Sequence, residues 1–305
     1  MRERILAACL LLIGCTSTDE DAGLCDTEHF VDSANVSGSQ IARVGDRVAW
    51  TESGPTGVLF KAVDGTSGMT SAQAGIYAFG RGMAVDGEVV YWTAVLDGIK
   101  DSALYSTPAS GVSVRIATFT GCTDPVGVAI AGGRWSVGFR DCGGQAMVRM
   151  GMGMAEIAAV PVDKINDLLP GFVLTDSTIR GFDPPIELPL PILHARRFAR
   201  YGDIFYVTGT DQLNAVPLDG TAPKRLFNFL PGVTDVLVDD DAVYVVNSTD
   251  NDPGLFRLPI TGGEPEQIAA HLGKTLAFTQ DPTHVYWVTR DRQQQRGVWR
   301  AKKCK

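Results

Sequence analysis

Short apolar runs alternate with polar turns along almost the whole chain, and the runs recur in one form. Val89-Val90-Tyr91-Trp92-Thr93, Ile204-Phe205-Tyr206-Val207-Thr208, Ala242-Val243-Tyr244-Val245-Val246 and His284-Val285-Tyr286-Trp287-Val288 are β-branched and aromatic segments of strand length. Weaker copies lie at Arg47-Val48-Ala49-Trp50-Thr51, Arg134-Trp135-Ser136-Val137 and Phe172-Val173-Leu174-Thr175. Equivalent slots at Ala49, Tyr91, Trp135, Val173, Tyr206, Tyr244 and Tyr286 are separated by 42, 44, 38, 33, 38 and 42 residues.

A second apolar run follows each polar loop: Leu59-Phe60-Lys61, Leu104-Tyr105-Ser106, Met147-Val148-Arg149, Ile179-Arg180-Gly181, Leu213-Asn214-Ala215, Leu255-Phe256-Arg257 and Val298-Trp299-Arg300. Its spacings of 45, 43, 32, 34, 42 and 43 residues agree with the first set. Both describe seven units of about 40 residues with a short fourth, the period of a radial β array. Asp64-Gly65, Ser110-Gly111, Asp219-Gly220 and Gly262-Gly263 follow the second run, where a hairpin needs positive φ.

Each unit therefore reads as a four-stranded antiparallel blade that can bury its faces only against its neighbours. The fold class is all-β, a β-propeller with seven blades favoured and six as the alternative. The last unit supplies three strands, so His29-Phe30-Val31 and its neighbours are expected to add the fourth and close the ring. The prolines of residues 183–191 oppose central pairing and place that stretch at the outer edge of the short fourth blade.

Val90-Tyr91-Trp92-Thr93 and Val285-Tyr286-Trp287-Val288 resemble the YWTD-type propeller repeat, and the run 255–263 is similar to repeats of bacterial propeller lipoproteins. Ala94 stands where that family carries Asp after Tyr-Trp-Thr, so no role of that Asp is transferred. The family has six blades; the spacing here counts seven.

The N-terminus adds an address. Arg2 and Arg4 precede an apolar run from Ile5 to Ile13, too short to span a bilayer, which needs about 20 helical residues. The pattern is that of an export signal. Leu12-Ile13-Gly14-Cys15 resembles the bacterial lipobox, which implies cleavage before Cys15 and lipid attached to it. The expected organisation is a signal peptide over 1–14, a lipidated polar tether over 15–24 and a single propeller over 25–305. Thr16 lacks the Asp that retains some lipoproteins at the inner membrane, so the outer membrane or cell surface is expected.

Charge changes the list of partners. The net charge of −8 becomes −9 once Arg2, Glu3 and Arg4 are removed, and such a balance opposes nucleic-acid binding. Of six cysteines, Cys9 lies in the signal and Cys15 takes lipid. Cys25, Cys122, Cys142 and Cys304 allow three pairings. Blade geometry brings Cys122, where the chain enters blade three, beside Cys142 in the loop after that blade's second strand. The same geometry sets Cys25 beside Cys304 at the closure.

Catalytic signatures are absent: His29, His194, His271 and His284 are scattered, and no nucleophile, phosphate or zinc motif occurs. No catalytic residue, metal or cofactor is expected. The Met147–Met154 stretch reads as a strand and hairpin, and Arg196, Arg197 and Arg200 as a solvated face. Acidic residues recur where loops between second and third strands emerge on one rim. Asp97, Asp101, Asp141, Asp211, Asp250 and Asp252, with Glu52 and Asp291, form the candidate binding rim.

The functional expectation is a lipid-anchored extracytoplasmic binding or scaffold module, tied to the membrane through Cys15. Its rim would recognise an envelope protein or glycan. The alternative is a propeller enzyme, a lyase or glycan hydrolase, with titratable groups converging at the central channel and their pKa values pushed apart.

Overall fold

The computed structural model describes residues 27–32, 40–51, 58–66, 70–72, 82–96, 100–192, 194–228, 232–247, 254–270, 274–290 and 296–303. Within them, 28 strands form seven four-stranded antiparallel sheets. Blades 1 to 6 occupy 41–72, 83–120, 122–162, 167–189, 197–228 and 233–270; blade 7 joins 274–302 to Thr27–Asp32. Each innermost strand touches that of the next blade, and Lys274–Gln280 of blade 7 touches Ile41–Val44 of blade 1. The ring is closed at seven.

Because each sheet is covered on both sides, both faces of its second strand can be buried, most fully in Ala242–Asn247 of blade 6. Val243 and Val245 pack toward blade 5, while Tyr244 and Val246 of the same strand pack toward blade 7. One buried cluster fills each junction between successive blades, giving seven in all. Both apolar runs read from the sequence are strands, the second and third of every blade.

The alignment slips by one residue in two blades. Counted from the turn after the innermost strand, the Tyr91 slot is filled by Ser136 and Leu174, not Trp135 and Val173. A one-residue shift changes the face. Trp135 packs toward blade 2, whereas the face toward blade 4 carries small residues. A Cβ on Gly138 would lie 2.7 Å from Leu168 Cδ1, so blade 4 seats closely only because that face is bare.

Turn chemistry holds with one exception. Gly65 and Gly220 have φ of 76° and 78°, and the preceding Asp64 and Asp219 carboxylates accept from the backbone N–H of Thr66 and Thr221. Gly111 is not at positive φ. A Cβ there would meet Pro108 Cγ at 2.7 Å, so close approach is what requires glycine. The proline-rich stretch forms the outer strand of blade 4, Pro185–Pro189, after a cis Asp183–Pro184 bond.

Closure follows the expected pairing. His29 lies opposite Trp299 and Glu28 opposite Arg300, with which it also forms an ion pair; Lys61 of blade 1 donates to the Phe30 carbonyl at 2.8 Å. Cys122 and Cys142 face each other across the first two strands of blade 3 and form a disulfide, with Cα atoms 4.0 Å apart. Cys142 is the last residue of its strand, directly before the loop rather than in it. Cys15, Cys25 and Cys304 lie outside the described residues.

Candidate functional site

The innermost strands begin on one face of the ring, which the loops between second and third strands share. Here a cavity of about 440 Å³ opens at the channel mouth, lined by Arg140, Lys164, Asn166, Asp176, Arg196 and Arg197, and further by His194, Ala195, Thr234 and Thr275. These residues come from blades 3 to 7 and their connections, so only the closed ring assembles them. The first and last lie 135 positions apart, at Arg140 and Thr275.

The wall between blades 4 and 5 is a hydrogen-bonded frame. Lys164 Nζ donates to Asp176 at 2.8 Å, and Asn166 Nδ2 donates to Asp176 at 2.8 Å and to the Ala195 carbonyl at 2.6 Å. The Asn166 amide and the Lys164 ammonium hold the Asp176 carboxyl below its usual range. Arg197 donates to the Asn166 carbonyl at 2.7 Å, which ties the innermost strand of blade 5 to that frame.

Deeper in the ring, Arg197 lies between two acids. Asp235 is 3.9 Å away on one side, and Asp167 on the innermost strand of blade 4 faces it from the other. Asp167 accepts from the backbone N–H of Leu168 at 2.9 Å and, across the blade junction, of Phe198 at 3.2 Å. Asp235 accepts from Val236 N–H at 3.0 Å and from the backbone of Phe278 in blade 7.

Burial outweighs those stabilising contacts. Desolvation raises the Asp167 carboxyl and pushes Asp235 up to about 7, against the attraction of Arg197. Burial works to lower Arg197, yet the two acids hold it above its ordinary value. The side chains of Arg197 and Asp235 keep 34% and 23% of their surface accessible. They are surrounded by protein but line a wet channel, so the charge cluster is screened rather than dry.

A second cavity of about 530 Å³ adjoins the first through Arg140 and runs over blade 3, between the loop 143–145 and Pro161, Val162 and Asp163. The disulfide fastens the base of that loop. Arg140 itself pairs with Asp124 at 3.3 Å.

The sequence-level candidates distribute unevenly. Asp101, Asp141 and Asp211 lie on the rim of this face. Asp101 accepts from Gly121 N–H at 2.9 Å and Asp141 from Gly144 N–H at 2.9 Å, while Asp211 is exposed. Asp97, Asp250 and Asp252, with Glu52 and Asp291, lie outside the described residues. Acids also crowd the opposite face, where exposed Asp46, Glu88, Asp203, Asp240 and Asp241 occupy the turns that end the innermost strands.

The three arginines do not form one solvated face. Arg196 and Arg197 enter the cavity lining; Arg200 stacks on Phe172 and Phe205, 5.3 and 5.6 Å from the ring centres. Asp167, Asp235, Arg140 and Lys164 were missed. The signal of the two acids is a polar pair at the start of an innermost strand, as in Asn166-Asp167, Arg196-Arg197 and Thr234-Asp235; Arg140 and Lys164 carry none.

The methionine stretch is a hairpin, Ala146–Met152 against Ala155–Val162, with Met152 and Met154 exposed at its tip on the opposite face. Among the described residues no three of His, Cys, Asp and Glu are grouped to hold a metal ion.

No family model matches the sequence, and no curated protein does. Solved structures match its shape. A chain of the mitotic checkpoint complex is similar at a TM-score of 0.67 and 12% identity, over 99% of this chain and 100% of that one. The β-propeller domain of the Trilobed protease from Pyrococcus furiosus is similar at 0.64 and 11%, over 87% and 95%. A chain of the nidogen/laminin complex reaches 0.54 and 12%, over 83% and 96%. At such identities the likeness is one of fold. The Pyrococcus domain has an open velcro topology, whereas here Thr27–Asp32 pairs with Arg296–Lys302.

Proposed function

We propose that the protein is a lipid-anchored binding module that recognises an envelope protein or glycan with the face at which the innermost strands begin. The observation that carries this reading is the cavity shared by blades 3 to 7, where basic side chains gather on an otherwise acidic protein. Propellers of this shape occur in the nidogen/laminin and mitotic checkpoint complexes, which fits a protein partner in general.

The direction of the closing strand supports the same reading. Thr27 lies opposite Ala301 and Asp32 opposite Gly297, so the strand begins at the face away from the cavity. A tether from a lipidated Cys15 would therefore reach the ring from below and leave the cavity turned outward.

The test is cross-linking of the full chain in membranes. Arg196→Glu should lose its cross-linked partner, while Asp203→Lys on the opposite face should keep it. Equal capture by both variants overturns the reading, as does continued membrane retention of Cys15→Ser for the anchoring.

One observation favours a lyase or glycan hydrolase instead: Asp235, titrating near neutrality, faces the channel close to Asp167. Against it, both carboxyls are pushed in the same direction by burial, whereas an acid and base pair is pushed apart. Turnover of a glycan that vanishes in Asp235→Asn would replace the binding reading with the enzymatic one.

A further inference from the structure

Four cations and four acids meet at the cavity, yet one arginine stands without a carboxylate of its own. Arg140 is matched by Asp124 at 3.3 Å, Lys164 by Asp176 at 2.8 Å, and Arg197 by two acids, Asp167 and Asp235, the latter at 3.9 Å. Arg196 has no carboxylate partner among the described residues, and one of its N–H groups rests on the Val233 carbonyl at 3.3 Å. Arg196 is exposed, so the remaining donors of its guanidinium face solvent, where a ligand can reach them. On the far wall Thr275 Oγ1 is buried with no hydrogen-bond partner, a condition that buried hydroxyls seldom tolerate.

We propose that the channel-mouth cavity is a carboxylate site, in which Arg196 and Arg197 hold the carboxylate of a small acidic sugar or amino acid. This deepens the binding reading above and rests on it. One arginine without a carboxylate of its own, in a cluster where acids equal cations, favours a monoanion over a phosphate dianion. The planar guanidinium fork matches the two oxygens of a carboxylate. A volume of about 440 Å³ holds a group of sugar or amino-acid size.

The body of the ligand has a place to lie. The adjoining cavity over blade 3 offers Gln145, Asp163 and the backbone of Gly144, neutral or acidic groups that suit hydroxyls or amines rather than a second anion. Arg140 stands where the two cavities meet and reads the junction. Protonation of the half-buried Asp235 beside Arg197 leaves the channel mouth more positive, so binding strengthens as pH falls through neutrality. The charged groups facing Asp235 are Arg197 of blade 5 and Asp167 of blade 4, and backbone N–H groups of blades 6 and 7 complete its surroundings.

The test is calorimetric titration of the full chain in detergent with sodium galacturonate, sodium glutamate, galactose, glutamate dimethyl ester and inorganic phosphate. One of the two carboxylates should bind saturably and its uncharged counterpart should not. Arg196→Gln should weaken that binding about tenfold or more, the loss of one charge-assisted contact. Thr275→Val should weaken it without lowering the thermal midpoint, since its hydroxyl has no partner to lose. Arg200→Gln should bind as the parent does.

The assignment is overturned if neither carboxylate saturates, if a neutral analogue binds equally, if phosphate binds more tightly, or if Arg196→Gln is indifferent. Should Arg196→Glu lose its membrane partner while no carboxylate binds, the face stands as the binding surface and the carboxylate assignment alone falls.

Discussion

On the face where the innermost strands end, the chain reverses within a few residues, and glycine or aspartate occupies those turns. On the face where they begin, the chain crosses from blade to blade and basic side chains gather over the channel. Gly45 and Gly202, each with φ of 56°, serve the first face in blades 1 and 5. In blades 6 and 7 the work passes to Asp239 and Asp281, whose carboxylates accept the N–H groups of the turn. The acidity of that face is thus a by-product of tight turning. On the cavity face Asp101 and Asp141 serve loops at the rim in the same way, whereas the basic side chains over the channel serve no turn and are open to recognition.

The contrast can be broken from either side. Converting both Cys122 and Cys142 to alanine should have the largest effect, because it removes, at the cavity face, the cross-link that closes a chain segment with a separation of 20 residues, the first two strands of blade 3. The expected loss is roughly 3 kcal/mol in the chain-entropy account, read as a lower denaturant midpoint, with the loop 143–145 gaining hydrogen exchange.

Next, Asp281→Ala on the opposite face removes acceptors from Thr283 N–H, His284 N–H and the buried Tyr286 hydroxyl. A cost of about 1–3 kcal/mol is expected, with ligand binding at the cavity unchanged. If binding fell as well, the two faces would not be independent.

Asp235 makes an oppositely signed contribution with pH. Its folded pKa of about 7 lies above the ordinary carboxylate value, so its contribution is present in acid and declines as pH rises to about 7. Asp281 is held low despite burial, by hydrogen bonds from Thr283 and Tyr286, and its contribution is instead lost in acid. Asp235→Asn should flatten the decline between about pH 4 and pH 7, measured by denaturant midpoints across that range. An unchanged slope would place the titration elsewhere.

The smallest effect belongs to Asp141→Ala, which loses one exposed bond to Gly144 N–H. About 0.5–1.5 kcal/mol is expected, with capture of the partner maintained if the basic cavity, and not the acidic rim, carries recognition.

The ring was legible because the second and third strands of each blade place apolar residues against the neighbouring blades, in runs that recur at a regular spacing. Tyr206, Tyr244 and Tyr286 mark one slot correctly; Trp135 does not, because the corresponding face of blade 3 is held small against blade 4. The cavity was not legible. Arg140, Lys164, Arg196 and Thr275 become neighbours only when five blades are in place, and no local spacing announces that. The rim aspartates were visible because loops need them, which is also why their presence says little about a ligand.

The strand Thr27–Asp32 meets its partner only at the opposite end of the chain: Glu28 and Arg300 are 272 positions apart. Closing a loop of that size costs about 2 kcal/mol more entropy than closing one of 20 residues, and that cost falls before any contact repays it. The earliest strand made must therefore wait for the last. A nascent chain halted before Arg296 should remain an open, protease-sensitive arc however well its first six blades are formed.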